Sequence, residues 1–159
     1  MIPPVLRAVR EMLMNAGVAF REMHHEPTFT SEESARVRGE ELRYGGKALL
    51  LKTDDAFRVF VLPADRRLDS GAIRRELQAP KQRFATKEEL AEFTGLVPGS
   101  VPPFGQPVLP FELYVDTAVA ANPRIAFNAG SLTDSIILAV PDYLQVARPT
   151  RVFAFSTVE

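Results

Sequence analysis

Gly45-Gly46-Lys47-Ala48-Leu49-Leu50-Leu51-Lys52-Thr53-Asp54-Asp55-Ala56-Phe57-Arg58-Val59-Phe60-Val61-Leu62-Pro63 is the stretch that decides the fold. Two apolar runs flank the turn pair Asp54-Asp55, the pattern of an antiparallel hairpin. Leu49, Leu50 and Leu51 follow one another, so both faces of the first strand are apolar and the strand belongs inside a sheet covered on both sides. Lys47 breaks this pattern. Alternation puts it on the side of Leu49 and Leu51, at the strand's mouth, where an ammonium needs water, a partner or an anionic ligand. Two readings stand: a lysine snorkelling into solvent, or a cation facing a ligand. Lys52, at the far end, has only the first.

Upstream, Val5, Leu6, Val9, Met12 and Leu13 recur at helical spacing between Pro3-Pro4 and Gly17, which predicts an amphipathic helix over 4–16. Val18 to Met23 leans to strand, and Pro27 ends it after His24-His25. Neighbours on an extended chain point to opposite faces, so these two histidines, the only ones, do not readily share a metal; hydrogen bonding or surface exposure suits them better. Thr30-Ser31-Glu32-Glu33 fits a capping box opening a short helix closed by Gly39. Thr28, Phe29 and Thr30 just before it are placed to line a pocket at that helix's start.

Downstream, Asp69-Ser70 with Leu68, Ile73 and Leu77 marks another helix ending before Pro80. Arg66, Arg67, Arg74, Arg75, Lys81, Arg83 and Lys87 cluster here, as a solvated face or as contacts for a phosphate backbone, diluted by Asp65, Asp69 and Glu76. Thr86-Lys87-Glu88-Glu89 repeats the capping box before a helix that stops at Gly95. Strands are expected at Phe111–Asp116, at Arg124–Ser131 ending in a turn, at Ser135–Val140 and at an edge near Val152–Phe155, with a short helix opening at Pro141. Hairpins and short helices alternate without regular βαβ spacing. The expected fold is therefore mixed α+β (α/β in the mixed sense), one domain over residues 1–159, with flanking helices on a strongly curved, barrel-like, largely antiparallel sheet.

Between the second capping box and the Phe111 strand lies Gly95-Leu96-Val97-Pro98-Gly99-Ser100-Val101-Pro102-Pro103-Phe104-Gly105. Proline lacks the amide donor and glycine a side chain, so this is a shaped loop and neither helix nor central strand. It is either a surface connector or a stiffened loop whose amides face a ligand, with Gly99 allowing close approach.

The totals narrow the chemistry. A chain of 159 residues that is 46% hydrophobic and 25% charged has the composition of one globular domain. A net charge of −1 supplies no global attraction to nucleic acid, so any such contact must come from a local patch and a shaped pocket. The absence of cysteine excludes disulfides, thiolate metal sites and a cysteine nucleophile, and fits the cytoplasm. Arg7, Arg10 and Glu11 interrupt any signal-type apolar core, and no apolar run is long enough to span a bilayer, so no membrane partner is expected. No Walker loop, GxGxxG, HExxH or GxSxG pattern occurs. What remains is a site of backbone amides, one lysine and neutral polar groups, which can still cleave an ester by stabilising the developing oxyanion.

Lys47 heading a buried strand, Gly99-Ser100-Val101-Pro102-Pro103 in GxxxP form, and Asn128-Ala129-Gly130-Ser131 before the strand Ile136-Ile137-Leu138 together resemble the YbaK-type aminoacyl-tRNA deacylase family. That family is related to the editing insertion of bacterial prolyl-tRNA synthetase, and the similarity runs from the first helix to Pro141-Asp142-Tyr143-Leu144. The resemblance implies a curved mixed sheet and a metal-free, cofactor-free pocket that hydrolyses the ester of a mischarged tRNA, with water as nucleophile assisted by the substrate's ribose hydroxyl. Lys47 matches the lysine that holds the acceptor end, and Gly99, Ser100 and Val101 match the loop that polarises the ester carbonyl. Phe29, Thr30, Ala48, Pro102, Pro103, Asn128, Ala129, Gly130 and Ser131 fall at substrate-binding positions. Implied partners are the acceptor end of an aminoacyl-tRNA, carrying a small amino acid on a proline-type tRNA, and an aminoacyl-tRNA synthetase, with editing in trans. Two positions depart from the common pattern: Ala48 where Asn or Thr often follows the lysine, and Leu132 where some relatives carry a polar residue. These departures motivate the alternative, a non-catalytic module that binds an aminoacyl, nucleotide or tRNA ligand on the same scaffold.

Overall fold

The computed structural model describes residues 2–159. Helices are α1 (Pro4–Ala16), α2 (Ser31–Arg38), α3 (Ser70–Leu77), α4 (Lys87–Thr94), α5 (Thr117–Ala120) and α6 (Val140–Ala147), with a 3-10 turn at Leu42–Tyr44. Strands are β1 (Phe20–His24), β2 (Gly46–Thr53), β3 (Ala56–Pro63), β4 (Arg66–Leu68), β5 (Gln82–Phe84), β6 (Glu112–Asp116), β7 (Arg124–Asn128), β8 (Asp134–Ala139), β9 (Arg151–Phe153) and β10 (Ser156–Val158).

The hairpin forms as expected, with β2 and β3 in antiparallel register from Gly46 opposite Pro63 to Thr53 opposite Ala56. It sits in a five-stranded sheet of order β5-β2-β3-β6-β9, in which β3–β6 and β6–β9 are parallel. Period-two alternation sends the two faces of this sheet into separate cores. Leu50, Val59, Val61, Leu113 and Val115 join the larger cluster with α1, α4 and α6, whereas Leu51, Phe60, Leu62 and Tyr114 pack with Ile73 of α3 and Phe155. Each such side chain, removed from water, contributes about 1.5–3 kcal/mol, so consecutive apolar residues on β2 and β3 stabilise both layers.

A second, antiparallel sheet of order β1-β8-β7 lies beside the first, and β4 pairs with β10. A bridge between Gly45 and Ala126 joins the two larger sheets. Among the described residues the strands form separate sheets that do not close into a barrel, so the mixed, largely antiparallel sheet is seen and barrel closure is not. The five-stranded sheet ends in β5 and β9, three residues each, too short to carry a ladder around to the other sheet. On the β5 side only Leu51 to Thr53 are paired in the ladder, which leaves Gly46 to Leu49 half-buried at the other end of β2.

Capping fixes where the helices begin. At α4 the box is complete: Thr86 Oγ1 accepts from the Glu89 amide at 3.0 Å and Glu89 accepts from the Thr86 amide at 2.9 Å. At α2 Thr30 Oγ1 accepts from the Glu33 amide at 3.1 Å, but the Glu33 carboxylate reaches past Thr30 to the Phe29 amide at 2.9 Å, which draws the preceding loop onto the helix start. No helix among the described residues is long and apolar enough to cross a membrane.

Candidate active site

The half-buried end of β2 faces a cleft of about 300 Å³ whose other walls are the Thr28–Ser31 loop, α2, Pro98, Gly99, Val101, Asn128 and Leu132. Lys47 lies at its edge. Its ammonium donates to the Arg66 carbonyl at 3.3 Å, a neutral acceptor, and among the described residues no carboxylate pairs with it. Ala48 and Leu49 flank it, and Phe29, 76% exposed, stands in the wall opposite the chain's interior. No Asp, Glu or His lines the cleft, whereas Lys47 and Arg38 both do, so its electrostatic character is cationic.

The Gly95–Gly105 loop runs exposed at Val97, Pro98 and Gly99 and then turns inward. From Ser100 to Gly105 every residue is buried. Ser100 Oγ donates to the Val97 carbonyl at 2.8 Å and accepts from the Val97 amide at 3.2 Å, so the serine tightens a turn behind the wall and does not line the cleft. The Ser100 carbonyl accepts from the Gly130 amide at 2.9 Å, and the Pro103 carbonyl accepts from the Tyr143 hydroxyl at 2.6 Å. Burial pushes the Tyr143 phenol pKa up, so it remains a donor. Phe104 packs edge-on against Tyr143 and Phe127, with ring centroids 5.5 and 5.7 Å away. With Ser100, Pro102, Pro103 and Phe104 held in this way, Gly99 and Val101 are left facing the cleft. Among the described residues neither amide has an acceptor in the protein. Gly99 has φ +89°, a backbone position an L side chain rarely takes.

Of the residues singled out from sequence, Lys47, Gly99, Val101, Phe29, Thr30, Ala48 and Asn128 meet at this cleft. Ser100, Pro102, Pro103, Ala129, Gly130 and Ser131 do not line it; they support it from behind. Gly130 packs on the start of α1, where an added Cβ would lie 2.9 Å from Val5 Cγ1. Ser131 Oγ donates to Asp134 at 2.6 Å. Burial works to raise the Asp134 pKa, but hydrogen bonds from Ser131, His24 and Thr133 outweigh it and hold the carboxyl below its ordinary range. Leu132 lines the cleft beside Gly99.

Thr28 stands in the wall as the sequence led us to expect, whereas the polar wall residues Ser34 and Arg38 were not foreseen. Thr28 and Ser34 are buried and share a hydroxyl hydrogen bond of 2.8 Å. Arg38, 7% exposed, donates from Nε to Ser135 Oγ at 2.9 Å and from Nη2 to Asn128 Oδ1 at 3.0 Å. Burial lowers its pKa to about 10, which still leaves it charged at neutral pH. On a short polar helix it reads as an ordinary basic residue in the last turn, and its partners lie 97 and 90 residues away.

In the expected basic cluster, Arg66 is bound to Ser156 and Arg83 to Glu89, at 2.6 and 2.8 Å, while Arg67, Arg74, Arg75, Lys81 and Lys87 are exposed.

The aminoacyl-tRNA editing domain family matches residues 25–146, a span that holds every wall of the cleft. The chain belongs to this family. The editing domain is 33% identical over 144 residues to the multifunctional Ser/Thr-tRNA deacylase ProXp-y of Escherichia coli, covering 87% of this chain and 85% of the relative. It is also 33% identical over 109 residues to a proline–tRNA ligase of Bacillus licheniformis, covering 69% of this chain and 19% of that enzyme. A crystal structure of a candidate trans-editing enzyme for prolyl-tRNA synthetase superposes on the editing domain with a TM-score of 0.84, at 25% identity and 99% coverage of both chains.

Proposed function

We propose that this editing domain is a hydrolase that cleaves, in trans, the ester joining a small amino acid to a mischarged tRNA, a proline-type tRNA being the first candidate. The observation that carries the reading is the meeting of Lys47, Gly99, Val101 and Asn128 at one cleft of about 300 Å³ without acidic groups, with no acceptor among the described residues taken by the Gly99 or Val101 amide. Lys47 is suited to a phosphate or ribose oxygen of the acceptor end, because its present partner is a single carbonyl at 3.3 Å. Phe29 offers an exposed aromatic face to the terminal base.

The Gly99 and Val101 amides are suited to the ester carbonyl oxygen, where donors fixed before the reaction stabilise charge as it develops. Water adds to the carbonyl carbon, the bond from that carbon to the ribose oxygen breaks, and the departing oxygen takes a proton. The products are the free amino acid and the intact tRNA. With no His, Asp or Glu in the cleft wall, the proton transfer falls to the substrate's neighbouring ribose hydroxyl and to water.

The test is a panel of mischarged tRNAs incubated with the pure protein without added metal. At least one is deacylated faster than its spontaneous rate, and Lys47→Ala removes the gain. Saturable tRNA binding with no acceleration for any member of the panel would instead identify a binding module.

A further inference from the structure

We propose that Arg38 is a positioning residue that fixes the orientation of the Asn128 side-chain amide and, through it, the Gly99 end of the loop facing the cleft. The proposal rests on the deacylase reading for its kinetic consequences but stands on geometry that does not require it. Asn128 and Ser135 are direct cross-strand partners on β7 and β8. The guanidinium fork spans this pair, giving one N–H to each side chain, at 3.0 Å to Asn128 Oδ1 and 2.9 Å to Ser135 Oγ.

A guanidinium can only donate, so Oδ1 must face it, and the Asn128 NH₂ is thereby turned to the Gly99 carbonyl, 2.8 Å away. Flipping the amide would set N–H against N–H at Arg38 and oxygen against oxygen at Gly99. The other end of the fork is fixed as well. His25 Nδ1 faces the Glu26 carbonyl at 2.8 Å and must carry a proton, and its Nε2 lies 2.8 Å from Ser135 Oγ. Ser135 Oγ, which accepts from Arg38, has His25 Nε2 at 2.8 Å and Asn128 Oδ1 at 3.4 Å as its other partners.

The position is an expensive one for a charge. Arg38 is 7% exposed, and among the described residues no carboxylate lies within ion-pair distance, so its two neutral partners do not compensate it as an acid would. A residue that only filled this space would be better apolar. Lysine cannot replace it, because a single ammonium lacks the planar fork that reaches two acceptors on adjacent strands.

The experiment compares the whole protein with Arg38→Lys, Asn128→Ala and the double variant, by amide NMR and by single-turnover deacylation of the most responsive mischarged tRNA. In Arg38→Lys the Asn128 side-chain amide and the Gly99 and Val101 backbone amide signals move or broaden, while the signals of β3 and β6 do not. The single-turnover rate at saturation falls by roughly 10- to 100-fold, with half-saturating tRNA changed by less than about threefold, as expected for misplaced donors. The double variant is no slower than the slower single one, because both act through the same bond.

Unmoved Gly99 and Val101 signals would overturn the proposal, as would multiplying rate losses or a loss confined to tRNA affinity, which would make Arg38 a direct substrate contact. If Arg38→Lys does not fold, Arg38→Gln must give the same shifts, and failure of both to fold would assign Arg38 a purely structural role. If the wild-type protein deacylates no tRNA, the functional reading falls, and the NMR shifts alone decide the positioning claim.

Discussion

Replacing Tyr143 with Phe removes one oxygen from the support of the loop and leaves the rest of the site in place. The hydroxyl is buried and donates to the Pro103 carbonyl at 2.6 Å, and among the described residues no other donor reaches that carbonyl. The edge-on contact with Phe104 needs only the ring, so Tyr143→Phe keeps it. The lost hydrogen bond costs about 1 kcal/mol net, and leaving a buried carbonyl without a donor raises the cost to roughly 1–3 kcal/mol. For a chain of this size that corresponds to a fall in melting temperature of about 2–12 °C. Urea unfolding gives the free energy directly, and an unchanged slope keeps the comparison within one two-state transition. Because the carbonyl belongs to the segment that follows Val101, deacylation falls along with stability, even where the protein remains fully folded. A loss below about 0.3 kcal/mol, or a full loss of stability with no change in rate at low temperature, would refute the claim that Tyr143 tethers this loop.

Glycine positions separate strain from collision. Gly130→Ala meets both a φ of +83° and a Cβ position 2.9 Å from Val5 Cγ1 and 3.0 Å from the Leu6 amide nitrogen, so it loses more than about 2 kcal/mol in urea unfolding. Gly17→Ala, at φ +70° with nothing within 4 Å, loses only about 1–2 kcal/mol. Glu89 is lowered from 4.5 to about 2, first by its hydrogen bonds from Arg83 and then by the Thr86 amide. A folded pKa below the unfolded one adds stability above pH 4.5 that is lost as pH falls toward 2, so the difference between wild type and Glu89→Gln shrinks over that window in acid titrations followed by circular dichroism. Gly99→Ala forces a side chain into φ +89° with ordinary space around it, so it slows deacylation far more than it lowers stability, as rates and melts on one preparation will show.

Local chemistry was legible in the chain and long-range chemistry was not. The α4 cap could be read from Thr86 and Glu89 because both bonds close within three residues. The hairpin could be read from Leu49 to Leu51 and Val59 to Leu62 because consecutive apolar residues on a strand require two covered faces. The strands β4, β5 and β10 carry too few apolar residues to show a period and form only because their partners are already in place. At the site, Lys47, Gly99, Val101 and Asn128 were legible through the family resemblance, whereas composition alone left the loop as either connector or ligand cradle. The resemblance put Ser100 with Gly99 and Val101 in the loop that polarises the carbonyl, yet its hydroxyl closes a turn with Val97 and it does not line the cleft. Arg38 was invisible for the opposite reason: its helix is mostly polar, and its partners on β7 and β8 lie 90 and 97 residues away.

The central claim is that the β2 lysine and the loop amides act on one ligand across one cleft. Amide NMR of the protein titrated with an adenosine carrying an aminoacyl group through a 3′-amide, which resists hydrolysis, tests it most directly. The account predicts that Gly99, Val101 and Lys47 signals shift together along a single saturation curve, and that Lys47→Ala weakens that curve. Saturable binding that leaves the Gly99 and Val101 amides unmoved, or that perturbs them without Lys47, would contradict it.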